Sequence, residues 1–499
     1  MNTKALRQKV LDLAIHGKLI PQNPNDESAE VLLKKIREEK AEKIKKGELK
    51  ADKKDSFIFV GSDKRHYEQF ADGTVKDIED EIPFDVPEGW AWCRLGEICD
   101  YGKCINVDTK ELKPEDWILD LEDIEKESGK IIKFITFSER KSESTKHKFF
   151  KGQVLYSKLR PYLNKVVIAP KDGFCTSEIL PLNFKKVLIS KYAQCLLMSS
   201  YFLSTVNMLT YGVKMPRLGT EDAKKLLLPI PPKNEQENIV NSFEQIFTQI
   251  NLLENDKEEL QTSIKQAKSK ILDLAIHGKL VPQDSNDEPA EKLLKRIATS
   301  DNRPYKKLSG DEIPFELPET WIWQKLPDLC SIPITDGTHK TPTYSDKENG
   351  IPFLSSKDVT SGEIDWSKIK YITKELHEEL YKRLAPQKND ILLAKNGTTG
   401  IAALVRDDTV FDIYVTLALI RPISGLIIPQ YLLYIINSPF CKNQFNAHLT
   451  GIGVPNLHLV DINKTVIPLP PINEQVRIVS KIEELFAYTD IINISIKDS

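Results

Sequence analysis

Apolar residues recur at alternating steps of four and three through Ile239, Phe243, Ile246, Ile250, Leu253, Leu260, Ile264, Ala267, Ile271 and Leu274, with Lys257 as the one polar interruption. Such a stripe is the seam of a coiled coil, sustained too long to be a chance amphipathic turn. It predicts a helix from about Glu235 to Ile276, roughly 60 Å long at about 1.5 Å per residue. A second stretch places Ile478, Ile482, Leu485, Ile492 and Ile496 at the same phases, and then the chain ends. At the other terminus Leu6, Val10 and Leu13 supply the rest of that seam, with a single equivalent position missing between Ser499 and Met1. Two long helices packed antiparallel, one continuous and one split between the termini, satisfy both patterns.

The split seam belongs to a larger repeat. Lys9 to Gln22 reads KVLDLAIHGKLIPQ and Lys270 to Gln283 reads KILDLAIHGKLVPQ, an offset of 261 from His16 to His277. IPFDVPEGWAW at Ile82 returns as IPFELPETWIW at Ile313 with an offset of 231, and PIPPKNEQ at Pro229 returns as PLPPINEQ at Pro468 with an offset of 239. The order is kept, so the chain is a tandem duplication with about thirty extra residues in the first copy, in and around the stretch REEKAEKIKKGELKADKKD. The landmarks divide it into 1–18, half of the split helix; 19–81, a helical arm and charged linker; 82–233, a globular module; 234–279, the central helix; 280–312, a second arm and linker; 313–472, a second module; and 473–499, the C-terminal helix. The expected fold class is mixed α/β, two similar domains joined by long antiparallel coiled-coil helices with pseudo-two-fold symmetry.

Within the modules the frame is shared and the tips differ. KGQVLYSKLRP from Lys151 and KNDILLAKNGTTG from Lys388 are apolar strand-like runs that lead into basic or polar turns, and YGVKMPRLG from Tyr211 meets TGIGVPNLH from Thr450. Arginine, lysine, asparagine and glutamine are the side chains that neutralise phosphates or reach base edges with two hydrogen bonds. The first module offers Lys158, Arg160, Tyr162, Lys214 and Arg217, and the second Lys395, Asn396, Thr398, Thr399 and Asn456. The turn TDGTHKTP adds His339 and Lys340. Trp90, Trp92, Trp321 and Trp323 are expected in the cores, and His16 and His277 at helix C-termini that Gly17 and Gly278 stop.

Composition narrows the function. The 499 residues carry a net charge of −3, so any nucleic-acid contact must come from local basic patches rather than from a cationic coat. Seven cysteines, none spaced C-x2-C, are read as reduced structural thiols. The polar breaks at Lys4, Arg7, Lys9 and Asp12 exclude a signal peptide or a membrane span at the N-terminus, and a cytoplasmic protein is expected. No phosphate-binding loop, dinucleotide fingerprint, N/D-P-P-Y/F methyltransferase motif or metal-ligand cluster is present, and the E-x-K triplets at Glu48 and Glu111 are chance in so charged a chain. The sequence therefore carries reading surfaces without chemistry.

With its duplicated IPFxxPxxW entries, its V/I-L-x-S/A-K strands, its PxPPxNEQ helix starts and its LDLAIHGKLxPQ helix ends, the chain resembles the specificity subunit of a type I restriction-modification system over nearly its whole length. The resemblance implies that 82–233 and 313–472 are target-recognition domains, each reading half of a bipartite, asymmetric site in double-stranded DNA. It implies helices that set the spacer and dock two modification subunits, which bring S-adenosylmethionine and flip out the target adenine. Through these come restriction subunits, which use ATP and Mg. No cofactor is expected on this chain, which would be a non-catalytic subunit. A two-headed adaptor that binds proteins is the alternative, and steep salt dependence of binding separates DNA reading from it.

Overall fold

The structure is a computed structural model that describes residues 2–52, 54–212, 214–300, 306–447 and 455–498. The chain divides into two compact units, Met1–Asp256 and Lys257–Ser499, and the division falls within a helix, Lys233–Ile276. Ser499 and Met1, on which the closure of the split helix depends, lie outside the described residues, as do Gly451 to Gly453.

In the first unit the helix Thr3–Ile15 starts where the Asn2 side chain accepts a hydrogen bond from the Ala5 N–H at 3.0 Å. Its apolar face, Val10, Leu11, Ala14 and Ile15, joins one core with Ile239, Val240 and Phe243 of the long helix. The pairing is antiparallel: Arg7 donates to Asn251 and Glu254 at 2.7 and 2.8 Å, while Gln22, further along the chain, reaches back to Glu235. Each large aliphatic side chain so buried stabilises the pair by roughly 1.5–3 kcal/mol. Towards the division the seam opens, and Leu253 is 43% exposed.

A three-stranded sheet of the first unit has the order Val166–Ile168, Val154–Ser157, Ile179–Leu182, all antiparallel. A five-stranded sheet runs Ile105–Val107, Lys146–Phe149, Gly173–Thr176, Trp117–Leu119, Ile135–Thr136, with the Trp117 and Gly173 strands parallel. Ala91–Arg94 pairs with Leu227–Ile230, which ties the tryptophan motif to the PxPP motif.

The stretch 19–81, expected to be a helical arm and charged linker, also contains a sheet. After the helix Ala29–Lys45 come three antiparallel strands, Ser56–Val60, His66–Phe70 and Val75–Asp77. Ile58 and Ile78 cover Trp92 and Leu227, and Arg94 forks onto the buried Glu68. A helix of 11 residues, Ala290–Ser300, stands in the second copy against the 17 of Ala29–Lys45. The extra residues of the first copy thus form structure that covers a sheet face.

The second unit repeats the plan with fewer strands among the described residues. Thr335–Asp336, Leu417–Ile420, Ile391–Ala394 and Ala402–Leu404 form one antiparallel sheet in that order. Tyr344–Ser345, Lys370–Ile372, Ile351–Leu354 and Asp412–Ile413 form another, whose last pair is parallel. Ile322–Lys325 pairs with Val466–Leu469. The C-terminal helix Ile472–Asp498 packs antiparallel to the end of the long helix: Lys268 pairs with Asp490 at 2.6 Å and Gln283 reaches Glu474. Ile478, Ile482 and Ile264 are buried, whereas Leu260 is 43% exposed.

In each unit the three repeated motifs converge on one junction. Trp90 Nε1 donates to Glu235 Oε2 and Trp321 Nε1 to Glu474 Oε2, both at 2.9 Å, and Gln22 and Gln283 complete the two carboxylates. The next residue, Gln236 or Gln475, accepts from the backbone of Ile189 or Ile428 and donates to Val187 and Pro231, or to Leu426 and Pro470. His16 stacks on Phe84 and His277 on Phe315, with Nδ1 donating to the Asp12 or Asp273 carbonyl. Gly17 and Gly278 both have φ of +64°, and a Cβ on either would lie 2.3 or 2.5 Å from the ring of Pro87 or Pro318. The motifs thus encode the joint between helix and module, and the histidines are structural.

Candidate nucleic-acid interface

In the first unit the strand Val154–Ser157 runs out into a turn in which Arg160 and Asn164 take left-handed φ of +49° and +47°. A segment more than fifty residues later closes on it. Arg160 N donates to Pro216 O at 2.8 Å, Leu218 N to Lys158 O at 3.1 Å, and Leu159 and Arg217 form a β-bridge. The two basic turns picked out in the sequence are therefore one surface. Tyr162 and Lys214 are exposed, and among the described residues no ion pair engages Lys158 or Lys214. Arg217 is forked on Glu178 at 3.0–3.3 Å, a partly exposed and solvent-screened pair open to competition from a phosphate. Arg160 Nη2 lies 3.4 Å from Lys214 O, and its buried Nε has no partner among the described residues.

Beside Lys158 opens a cleft of about 540 Å³, lined by Gly102, Lys103, Cys104, Ile105, Asn106, His147, Leu180 and Thr220. His147 Nδ1 faces the Ile179 carbonyl at 2.9 Å and must donate to it, so Nδ1 carries a proton. Burial pushes the Cys104 thiol up, so it stays protonated. Lys103, Asn106, His147 and Thr220 were not singled out in the sequence. The basic YGKCIN turn was a sign of Lys103 and Asn106, whereas His147 and Thr220 are brought to the cleft from distant parts of the chain.

The second unit builds the same frame. Leu457 N donates to Lys395 O at 2.8 Å, Gly397 N to Pro455 O at 3.3 Å, and Asn396 bridges Asn456. The side chains differ. Lys395, the counterpart of Lys158, is 6% exposed and its ammonium lies 2.5 Å from Asp336 Oδ2. It is consumed in a buried ion pair that clamps the 335–340 turn against the strand Ile391–Ala394. His339 Nε2 stands 3.3 Å from the other oxygen of Asp336, and the Lys340 ammonium pairs with Glu379. Asn396, Thr398, Thr399 and Asn456 surround the turn, Thr398 exposed and the others half-buried. Gly453, the counterpart of Lys214, lies outside the described residues. The first surface presents cations and a phenol; the second presents amides and hydroxyls.

Among the described residues there is no group of three or more His, Cys, Asp or Glu side chains able to hold a metal ion. All seven cysteines are free, and burial pushes Cys99 and Cys441 up to about 12. No described helix is long and apolar enough to cross a membrane. Residues 87–262 and 318–499 match the family described as Type I restriction modification DNA specificity domain. The chain belongs to this family. The specificity subunits of the family are its DNA-recognising, non-catalytic members, and methyl transfer and cleavage are carried by other parts of the complex. The specificity subunit of the type I restriction enzyme EcoAI from Escherichia coli is 26% identical over 551 residues, covering 97% of this chain and 88% of the relative. That of EcoEI, also from Escherichia coli, is 26% identical over 569 residues, covering 98% and 89%. A solved structure from work on complex assembly and conformational transition of the type I R-M system has a TM-score of 0.54 at 19% identity, covering 83% of this chain and 95% of that one, a likeness of fold.

Proposed function

We propose that this specificity subunit reads a bipartite, asymmetric DNA site, one half with residues 82–233 and the other with 313–472. The observation that carries the reading is the pair of bridged turns, 158–160 with 216–218 and 395–397 with 455–457, which present different chemistry on one frame. Phosphate contacts fall to Lys158, Arg160, Lys214, Arg217 and Lys340, and base-edge contacts to Tyr162, His339, Asn396, Thr398, Thr399 and Asn456. Lys103 and Asn106 extend the first surface along its cleft. Lys395 acts through Asp336, as the clamp of a reading turn.

The helical segments 1–18, 234–279 and 473–499 set the separation of the half-sites and dock two modification subunits, which supply S-adenosylmethionine and everted-adenine chemistry. Restriction subunits join through these and use ATP and Mg. The complex works on double-stranded DNA in the cytoplasm. The test is to replace residues 82–233 by the equivalent module of a relative and to map methylated adenines with the modification subunits present. One half-site should change while the other stays. A change in both, or in neither, refutes the assignment, and affinity for DNA indifferent to salt would favour a protein-binding adaptor.

A further inference from the structure

The tip of the first unit leaves large apolar side chains in water. Met208 is 78% exposed, Tyr211 62% and Met215 51%, and Tyr162 stands exposed on the neighbouring turn. Met208 lies in the last turn of the helix Ser200–Leu209, whose Phe202 and Val206 are buried, so the exposure begins where that helix leaves the core. Tyr211 and Arg217 then exchange backbone hydrogen bonds at 3.3 and 3.0 Å, which closes the base of a loop. Gly212, at φ +97°, doubles the chain back so closely that a Cβ there would lie 3.3 Å from Met215 O. Arg160 N holds Pro216 from the side. The described residues on both sides of the loop are thus held by backbone contacts, which lessens the ordering that a binding event must supply.

Exposed apolar side chains are usual at a contact surface, and here they are ringed by positive charge from Lys214, Arg160 and Lys158. That charge selects a polyanion as the occupant. Methionine and tyrosine framed by cations have the makeup of a wedge that enters between base steps, where the cations hold the flanking phosphates. We propose that Met215 and Tyr211 form such a wedge and unstack a base step within the half-site read by the first unit. This deepens the DNA-reading assignment and rests on it. In the sequence, Thr450 and Val454 stand where Tyr211 and Met215 stand, so the second half-site should lack the distortion.

The experiment uses the full chain assembled with its modification subunits and a duplex containing the mapped site, with 2-aminopurine placed at successive positions other than the methylated adenine. Fluorescence should rise on binding at one step of the first half-site and at none of the second. M215A and Y211A should lose most of that rise and weaken binding, while their thermal unfolding and their assembly with the modification subunits in the absence of DNA stay unchanged. Absence of any rise in the first half-site, or a rise retained in both variants, overturns the wedge and leaves sequence reading intact. Failure of M215A to assemble without DNA would show instead that the patch is a protein contact. Failure of the wild-type assembly to bind the duplex removes the underlying assignment together with the wedge.

Discussion

Replacing Trp90 by phenylalanine tests the junction at which the repeated motifs meet. The indole N–H is a donor to Glu235 Oε2 at 2.9 Å, and Glu235 is buried with Gln22 as its other side-chain partner among the described residues. Loss of a hydrogen bond to a charged group costs about 1.5–3 kcal/mol. The smaller ring adds roughly 1 kcal/mol of lost packing in a core site. A total near 3 kcal/mol lowers the melting temperature of a unit of this size by roughly 6–12 °C. Thermal unfolding of W90F, E235Q and the double variant forms a cycle, in which the two changes should couple by about 1 kcal/mol or more. A coupling below about 0.5 kcal/mol would refute the idea that this bond holds helix to module. The pH dependence supplies an independent sign. Burial raises the Glu235 carboxyl above its usual value, so in that window the folded state binds more protons than the unfolded one. Its contribution is therefore fully present below the unfolded value and is lost as pH rises through the raised folded value; E235Q should remove that part of the pH dependence. Trp321 and Glu474 predict the same in the second unit.

Gly278→Ala should destabilise the second unit by more than about 2 kcal/mol, since a left-handed residue gains a Cβ that would overlap the ring of Pro318; equilibrium denaturation measures it. Lys214→Ala should weaken binding to all DNA sequences alike and reduce the slope of log K against log salt by about 1, read by titration at several salt concentrations. Asp336→Ala leaves the Lys395 ammonium buried without its partner, which should cost about 3–5 kcal/mol in melting experiments and, in a pre-assembled complex, impair recognition of the second half-site before the first.

Much of this protein was legible in order along the chain. The heptad spacing predicted the long helix to within two residues of its observed start at Lys233, and Gly17 and Gly278 marked the helix ends where left-handed backbone is found. The aromatic and β-branched run SFIFV and the ADGT turn after HYEQF held a strand and hairpin signal, which the density of lysine and glutamate before them obscured. These features are local, because helix periodicity and turn chemistry are properties of neighbouring residues.

The sequence by itself determined the duplication, the family and the list of polar side chains near the tips. Only the tertiary structure decided which of them face outward. Lys158 and Lys395 occupy the same place in the repeated strand, yet Lys158 borders an open cleft and Lys395 is buried on Asp336. The difference arises because Thr335–Asp336 pairs with Leu417–Ile420 and so brings a carboxylate from fifty-nine residues away against the ammonium. A buried lysine takes the nearest counter-charge, and that neighbour is set by strand pairing across the fold rather than by the residues beside it in the chain.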